Sequence, residues 1–163
     1  MNQTTNGSTD TQSALPVAAP THAHHAELWS ELSRREAALV NAVAGGEDYE
    51  PLRRELVAFL RGEVLHHLQT EEMVLYNAAR GAGAHALVDA LELDHYSLVR
   101  LVDHIDQATT GLDAALSARA LTVLFVLRIE KEEGVLVPTL TAAGVDVSTL
   151  IAGRPEMQGS DQH

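Results

Sequence analysis

From residue 21 onward, apolar side chains recur three and four positions apart in four successive runs, the spacing of one face of an α-helix. The first run starts at Thr21, a residue type that caps helices, and continues to about Ala44. It keeps Leu28, Leu32, Leu39 and Val43 on its apolar side, and Gly45-Gly46 supplies the stop. The second opens at Pro51, where a missing N–H costs little, and sets Leu56, Leu60, Val64, His67, Glu71 and Val74 on one face. Gly81 and Gly83 separate it from a third, over about 84–109, with Leu91, His95, Leu98, Val102 and Ile105. Past Gly111, a fourth helix over about 113–137 presents Leu121, Leu124, Phe125, Arg128, Glu132 and Leu136. Gly134 and Pro138 are expected to loosen or bend its end. Four helices with short connections predict an all-α, up-down-up-down four-helix bundle over residues 21–147. Residues 1–20, polar and poor in large apolar side chains, read as a disordered N-terminal tail, and 148–163 as a C-terminal tail.

The informative positions are the polar ones that fall inside the apolar faces. At about 100° per residue, Glu63, His67 and Glu71 share the sector of Leu60 and Val74. A buried carboxylate is costly unless it is paired or coordinated, so Glu71 and Glu132 each demand a partner. The two helices that carry them are related. His67-Leu68-Gln69-Thr70-Glu71-Glu72 returns as Arg128-Ile129-Glu130-Lys131-Glu132-Glu133, and Val74-Leu75 is matched by Val135-Leu136. His-x-x-x-Glu sets an imidazole and a carboxylate one turn apart on one face, where both can bind a single transition metal. In the second copy a guanidinium replaces the imidazole, and a guanidinium only donates. A weaker echo links His25, three residues before Leu28, with His95, three before Leu98; His24 remains an alternative to His25.

Composition narrows the chemistry. There are 163 residues, 45% apolar but only 4% aromatic, which suits helix packing better than a sandwich. A net charge of −12 without a basic stripe argues against nucleic-acid binding. No cysteine is present, which excludes thiolate metal sites and thiol catalysis. The nine histidines are the outlier, and with carboxylates they favour iron, manganese or zinc. No secretory pattern and no apolar run of spanning length occurs, so a cytoplasmic protein without a membrane partner is expected. Basic residues that are nearly all Arg fit a GC-rich bacterial gene.

Taken in order, His25, His67 to Glu72, Asp94-His95, and Arg128 to Glu133 followed by Leu136-Val137-Pro138 resemble the motifs of the hemerythrin-like family, the HHE cation-binding domains. The resemblance covers about residues 21–143. It implies a non-heme di-iron centre with bridging carboxylates, in proteins that bind or sense oxygen or respond to nitric oxide, peroxide or iron supply. Carried over, His25 and His67 bind one metal, Glu71 and Glu132 bridge, and His95 binds the second. Arg128 stands where that second metal's other histidine belongs, and a permanent cation repels a metal. The expectation is therefore one metal, or a weakened second one, serving to sense, store or scavenge iron, oxygen, nitric oxide or peroxide. A sensor would need a separate protein partner. No general acid or base for redox catalysis stands out.

Two rival readings remain at this level. A ferritin-like di-iron carboxylate oxidase would use Glu63-Val64-Leu65-His66 and Glu92-Leu93-Asp94-His95, but these lie on consecutive helices and His66 points about 100° from His67. A metal-free helical interaction domain would pair Arg128 with Glu71 and Glu132 in a buried network. His24, Glu63, His66 and Arg128 are thus the outer or alternative residues of the site.

Overall fold

A computed structural model describes residues 19–154 and 157, and among these every regular element is helical. The expected tail over residues 1–18 lies outside the described residues. Helix α1 spans Ala19–Gly45 and ends where Gly46 turns to a φ of 69°. Helix α2 runs from Glu50 to Gly81, α3 from His85 to Gln107, α4 from Gly111 to Ala142, and a short α5 from Val147 to Ile151. Helix α1 packs on α2 and α4, and α3 packs on the same two, so the four long helices close a ring around one interior. Gly111 lets the start of α4 tuck against the α1–α2 corner, because a Cβ there would lie 2.9 Å from the Tyr49 ring.

Three wide turns interrupt the long helices: Leu60–Val64 and Glu72–Tyr76 in α2, and Glu132–Leu136 in α4. Each is a π-turn, with one more residue per turn than an α-helix, and such turns recur at functional sites. Two of them begin at the paired glutamates of the repeat. The bend expected from Gly134 and Pro138 takes this form: Pro138 has no N–H for the carbonyl four residues back, and the widened turn just before it absorbs the loss.

Several boundaries differ from the sequence reading. Thr21 lies inside α1, which already begins at Ala19. The segment 148–163, expected as a tail, includes most of α5, and both Ile151 and Met157 are buried. Asp146 caps α5, accepting from the Thr149 amide at 3.3 Å. The docked segment covers the π-turn at Glu72–Tyr76.

The interior divides into two apolar clusters. One gathers Leu28, Leu32, Leu60, Leu68, Leu98 and Phe125, and the other Val74, Tyr76, Leu91, Leu136, Leu140 and Ile151. On α2, α3 and α4 the residues between the two clusters are Glu71, His95, and Arg128 with Glu132. A band of polar side chains is thereby closed off from water at both ends.

Candidate metal centre

Five polar side chains meet in this band from α1, α2 and α4: His25, His67, Glu71, Arg128 and Glu132, all buried. His25 Nε2 lies 3.1 Å from His67 Nε2 and 3.1 Å from Glu71 Oε1. His67 Nε2 lies 2.9 Å from the same carboxylate oxygen, which closes a triangle of three donor atoms. Among the described residues, these three form the group compact enough to hold a metal ion. Three atoms each about 2.1 Å from one ion sit about 3.0 Å apart when they meet it at right angles, and about 3.4 Å apart in a tetrahedron. The observed edges, 2.9 to 3.1 Å, are short enough for all three atoms to reach one ion, and they are equally hydrogen-bond distances between the side chains. Two imidazoles and a carboxylate are a donor set suited to a divalent transition metal.

The other half of the band holds Arg128, which is fully buried. Its Nη1 donates to Glu71 Oε2 at 2.8 Å, and its Nη2 reaches Glu132 Oε1 at 2.8 Å and the Tyr76 hydroxyl at 2.6 Å. Tyr76 in turn lies 3.4 Å from Glu132 Oε1. Burial by itself disfavours the guanidinium, but Glu132 and Glu71 outweigh it, so the side chain stays charged. One guanidinium therefore donates to the outer oxygen of Glu71 and contacts one oxygen of Glu132. The second oxygen, Glu132 Oε2, is buried without a hydrogen-bond partner among the described residues and faces His25 Nε2 at 3.7 Å. An orphaned carboxylate oxygen beside a triangle of donors fits a missing cation.

The electrostatics agree. Burial pushes the Glu71 carboxyl up, yet His67 and Arg128 pull it well below the ordinary carboxylate range. Glu132 goes the other way: burial, with Glu71 adding repulsion and Arg128 offsetting only part, raises it to about 8. Burial would lower the His25 imidazole, but Glu71, with Glu132 and Glu133 behind it, raises it to about 9. Without metal, a proton on His25 sits where a cation would bind.

The remaining expected site residues are placed as follows. His24 stands beside His67, ring centroids 4.8 Å apart, outside the donor triangle. Burial, with His67 and His25 nearby, lowers it to about 4. His95 is buried on α3, but its Nδ1 is taken by Glu72 and it does not join the triangle. Glu63 and His66 are exposed. The expectation that Glu63 faces the core is corrected by the π-turn at Leu60–Val64, whose extra residue shifts the phase of the helix there. Tyr76 packs in the second apolar cluster, and its hydroxyl also closes the Arg128 network. The second glutamate of each pair, Glu72 or Glu133, contacts a histidine of another helix. Nothing within one helix's periodicity identifies such cross-helix contacts; the doubled Glu is the only signal.

A family model described as the hemerythrin HHE cation binding domain matches residues 20–140. No curated protein and no solved structure matches the chain.

Proposed function

This chain belongs to the hemerythrin HHE cation-binding domain family, and we propose that it holds a single iron(II) through His25, His67 and Glu71. Arg128 occupies the place of a second metal. The observation that carries this reading is the contrast inside the band: a donor triangle with edges of 2.9 to 3.1 Å on one side, and a guanidinium clamped between Glu71 and Glu132 on the other. Bound iron would supply open coordination positions and a one-electron redox change in a water-poor interior. The protein's own residues do the rest. Glu71 faces the metal with one oxygen and Arg128 with the other, so its charge is shared. Glu132 offers its unpaired oxygen as a further ligand or as an acceptor for a small molecule bound beside it.

A lone iron lacks the pair of metals on which reversible oxygen carriage depends in this family. The function supported best is sensing or scavenging of oxygen, nitric oxide or peroxide, with signal output through a separate partner. His95 and Arg128 would then flank the centre rather than ligate it. The test is electron paramagnetic resonance of oxygen-free, iron(II)-loaded protein exposed to nitric oxide. The signal of isolated iron is expected, and the silence of a coupled iron pair would overturn the reading. The metal-free network has one observation in its favour, the contact of Arg128 Nη1 with Glu71 and of its Nη2 with Glu132. The orphaned Glu132 Oε2 weighs against it.

A further inference from the structure

The outer glutamate of each pair turns away from the donor atoms and toward a histidine of a neighbouring helix. Glu133 Oε1 lies 2.9 Å from His25 Nδ1, while its Oε2 lies 2.8 Å from His22 Nδ1. In the other copy, Glu72 Oε1 pairs with His95 Nδ1. The same relation in both halves makes it a property of the repeat rather than an accident of one surface. Exposure falls steadily along the first chain of contacts: the side chain of His22 is 65% exposed, Glu133 21% and His25 2%. His22, His25 and Glu133 also line a cavity of about 360 Å³ between α1 and α4, together with Trp29, Val126 and Ile129.

We infer that Glu133 is the positioning residue of the metal centre: it anchors His25 through Nδ1–H, so that Nε2 is presented to His67 and Glu71, and His22 latches Glu133 from the solvent side. The inference rests on reading the triangle as a metal site. An imidazole has two ring nitrogens, and the partner of one decides which way the other faces. His25 reaches the site from α1, whereas Glu133 sits at the first residues of the π-turn in α4. The contact therefore ties the helix-1 ligand to the same segment that carries Glu132. Carboxylates behind metal-bound histidines fix ring orientation and raise ligand basicity.

Two readouts test this. The first is nuclear magnetic resonance of ¹⁵N-labelled, metal-free protein, which reports a protected, hydrogen-bonded proton on His25 Nδ1. The second is affinity for cobalt(II), followed by its visible spectrum. Glu133→Ala is expected to lose the protected proton and to bind cobalt about 10- to 100-fold more weakly. Glu133→Gln, whose amide oxygen still accepts from Nδ1–H, should keep the proton and recover most of the affinity. Glu130→Ala, which removes the same charge from the same helix, should leave both unchanged. A folded Glu133→Ala protein with the proton in place and wild-type cobalt affinity overturns the positioning role but leaves the metal site standing. A wild type that shows the proton but takes up no cobalt overturns the metal reading, while the anchoring of His25 survives. Should the alanine variant lose its helical circular dichroism, the glutamine variant decides: a folded protein without the proton overturns the inference.

Discussion

The two copies of the repeated segment begin from the same plan and end in different electrostatic states. In the first, His67 and Glu71 point into the interior and join His25 in a compact set of donor atoms that could hold a metal ion. In the second, Arg128 and Glu132 occupy the equivalent places, and the cation needed there is built into the chain. Each copy runs into a π-turn that begins at its paired glutamates, and each places its outer glutamate on a histidine of another helix. At the pair of positions that meets in the polar band, what differs is one side chain, His67 in the first copy and Arg128 in the second. Under the proposed reading, the buried carboxylate pair takes positive charge from both sides, from a metal in the first half and from a guanidinium in the second. A guanidinium fixes the charge permanently, while a metal leaves positions open for chemistry.

The difference between the halves can be broken at its strongest point first. Arg128→Leu removes the fixed cation and leaves Glu71 and Glu132 facing each other. In metal-free protein this is expected to cost about 3–5 kcal/mol, measured by urea unfolding. A loss below about 1 kcal/mol would mean that the carboxylates protonate freely and that the network matters little.

The first half is tested by ligand removal. His67→Ala should weaken iron(II) binding by more than about 100-fold, beyond what loss of an outer-shell contact costs. His95→Ala should leave binding within a few-fold of wild type, because His95 lies outside the donor triangle. Equal losses in the two variants would place His95 among the ligands and erase the asymmetry.

Acidity sharpens the same contrast. His25 is raised from 6.5 to about 9 in the metal-free fold. Its protonation therefore contributes stability that is complete below pH 6.5 and is lost as pH rises through about 9. A bound metal must displace that proton, so apparent affinity should rise across the same window. Isothermal titration at several pH values checks this, and a flat profile between pH 6.5 and 9 would contradict it. The smallest effect belongs to Tyr76→Phe, which removes one hydrogen-bond partner of Arg128 and should cost about 0.5–1.5 kcal/mol with metal affinity nearly unchanged.

Much of this was readable from the chain because it depends on α-helical phase. His67 and Glu71 share a face with Leu60 and Val74, and Arg128 with Glu132 and Leu136, so their burial follows from spacing. The Arg-for-His exchange is visible by aligning the two copies. Other features resist such reading for identifiable reasons. Glu63 fell into the wrong sector because a π-turn changes the number of residues per turn without leaving a mark in the periodicity. His24 and His25 are adjacent, and only packing separates the one beside His67 from the one facing it. Helix α5 is too short to show a period, and Met157 is a single apolar residue, yet both are buried by contact with the far end of the bundle. The contacts of Glu72, Glu133 and Tyr76 all cross between helices or between the two copies.

The central claim is that Arg128 takes the place of the second metal. The most direct measurement is iron content per chain for wild type and Arg128→His, loaded side by side without oxygen. The account predicts one iron in the wild type and a second in the variant, where His95, Glu132 and the new imidazole complete the other half. Two irons in the wild type, or the same single iron in both, would contradict it.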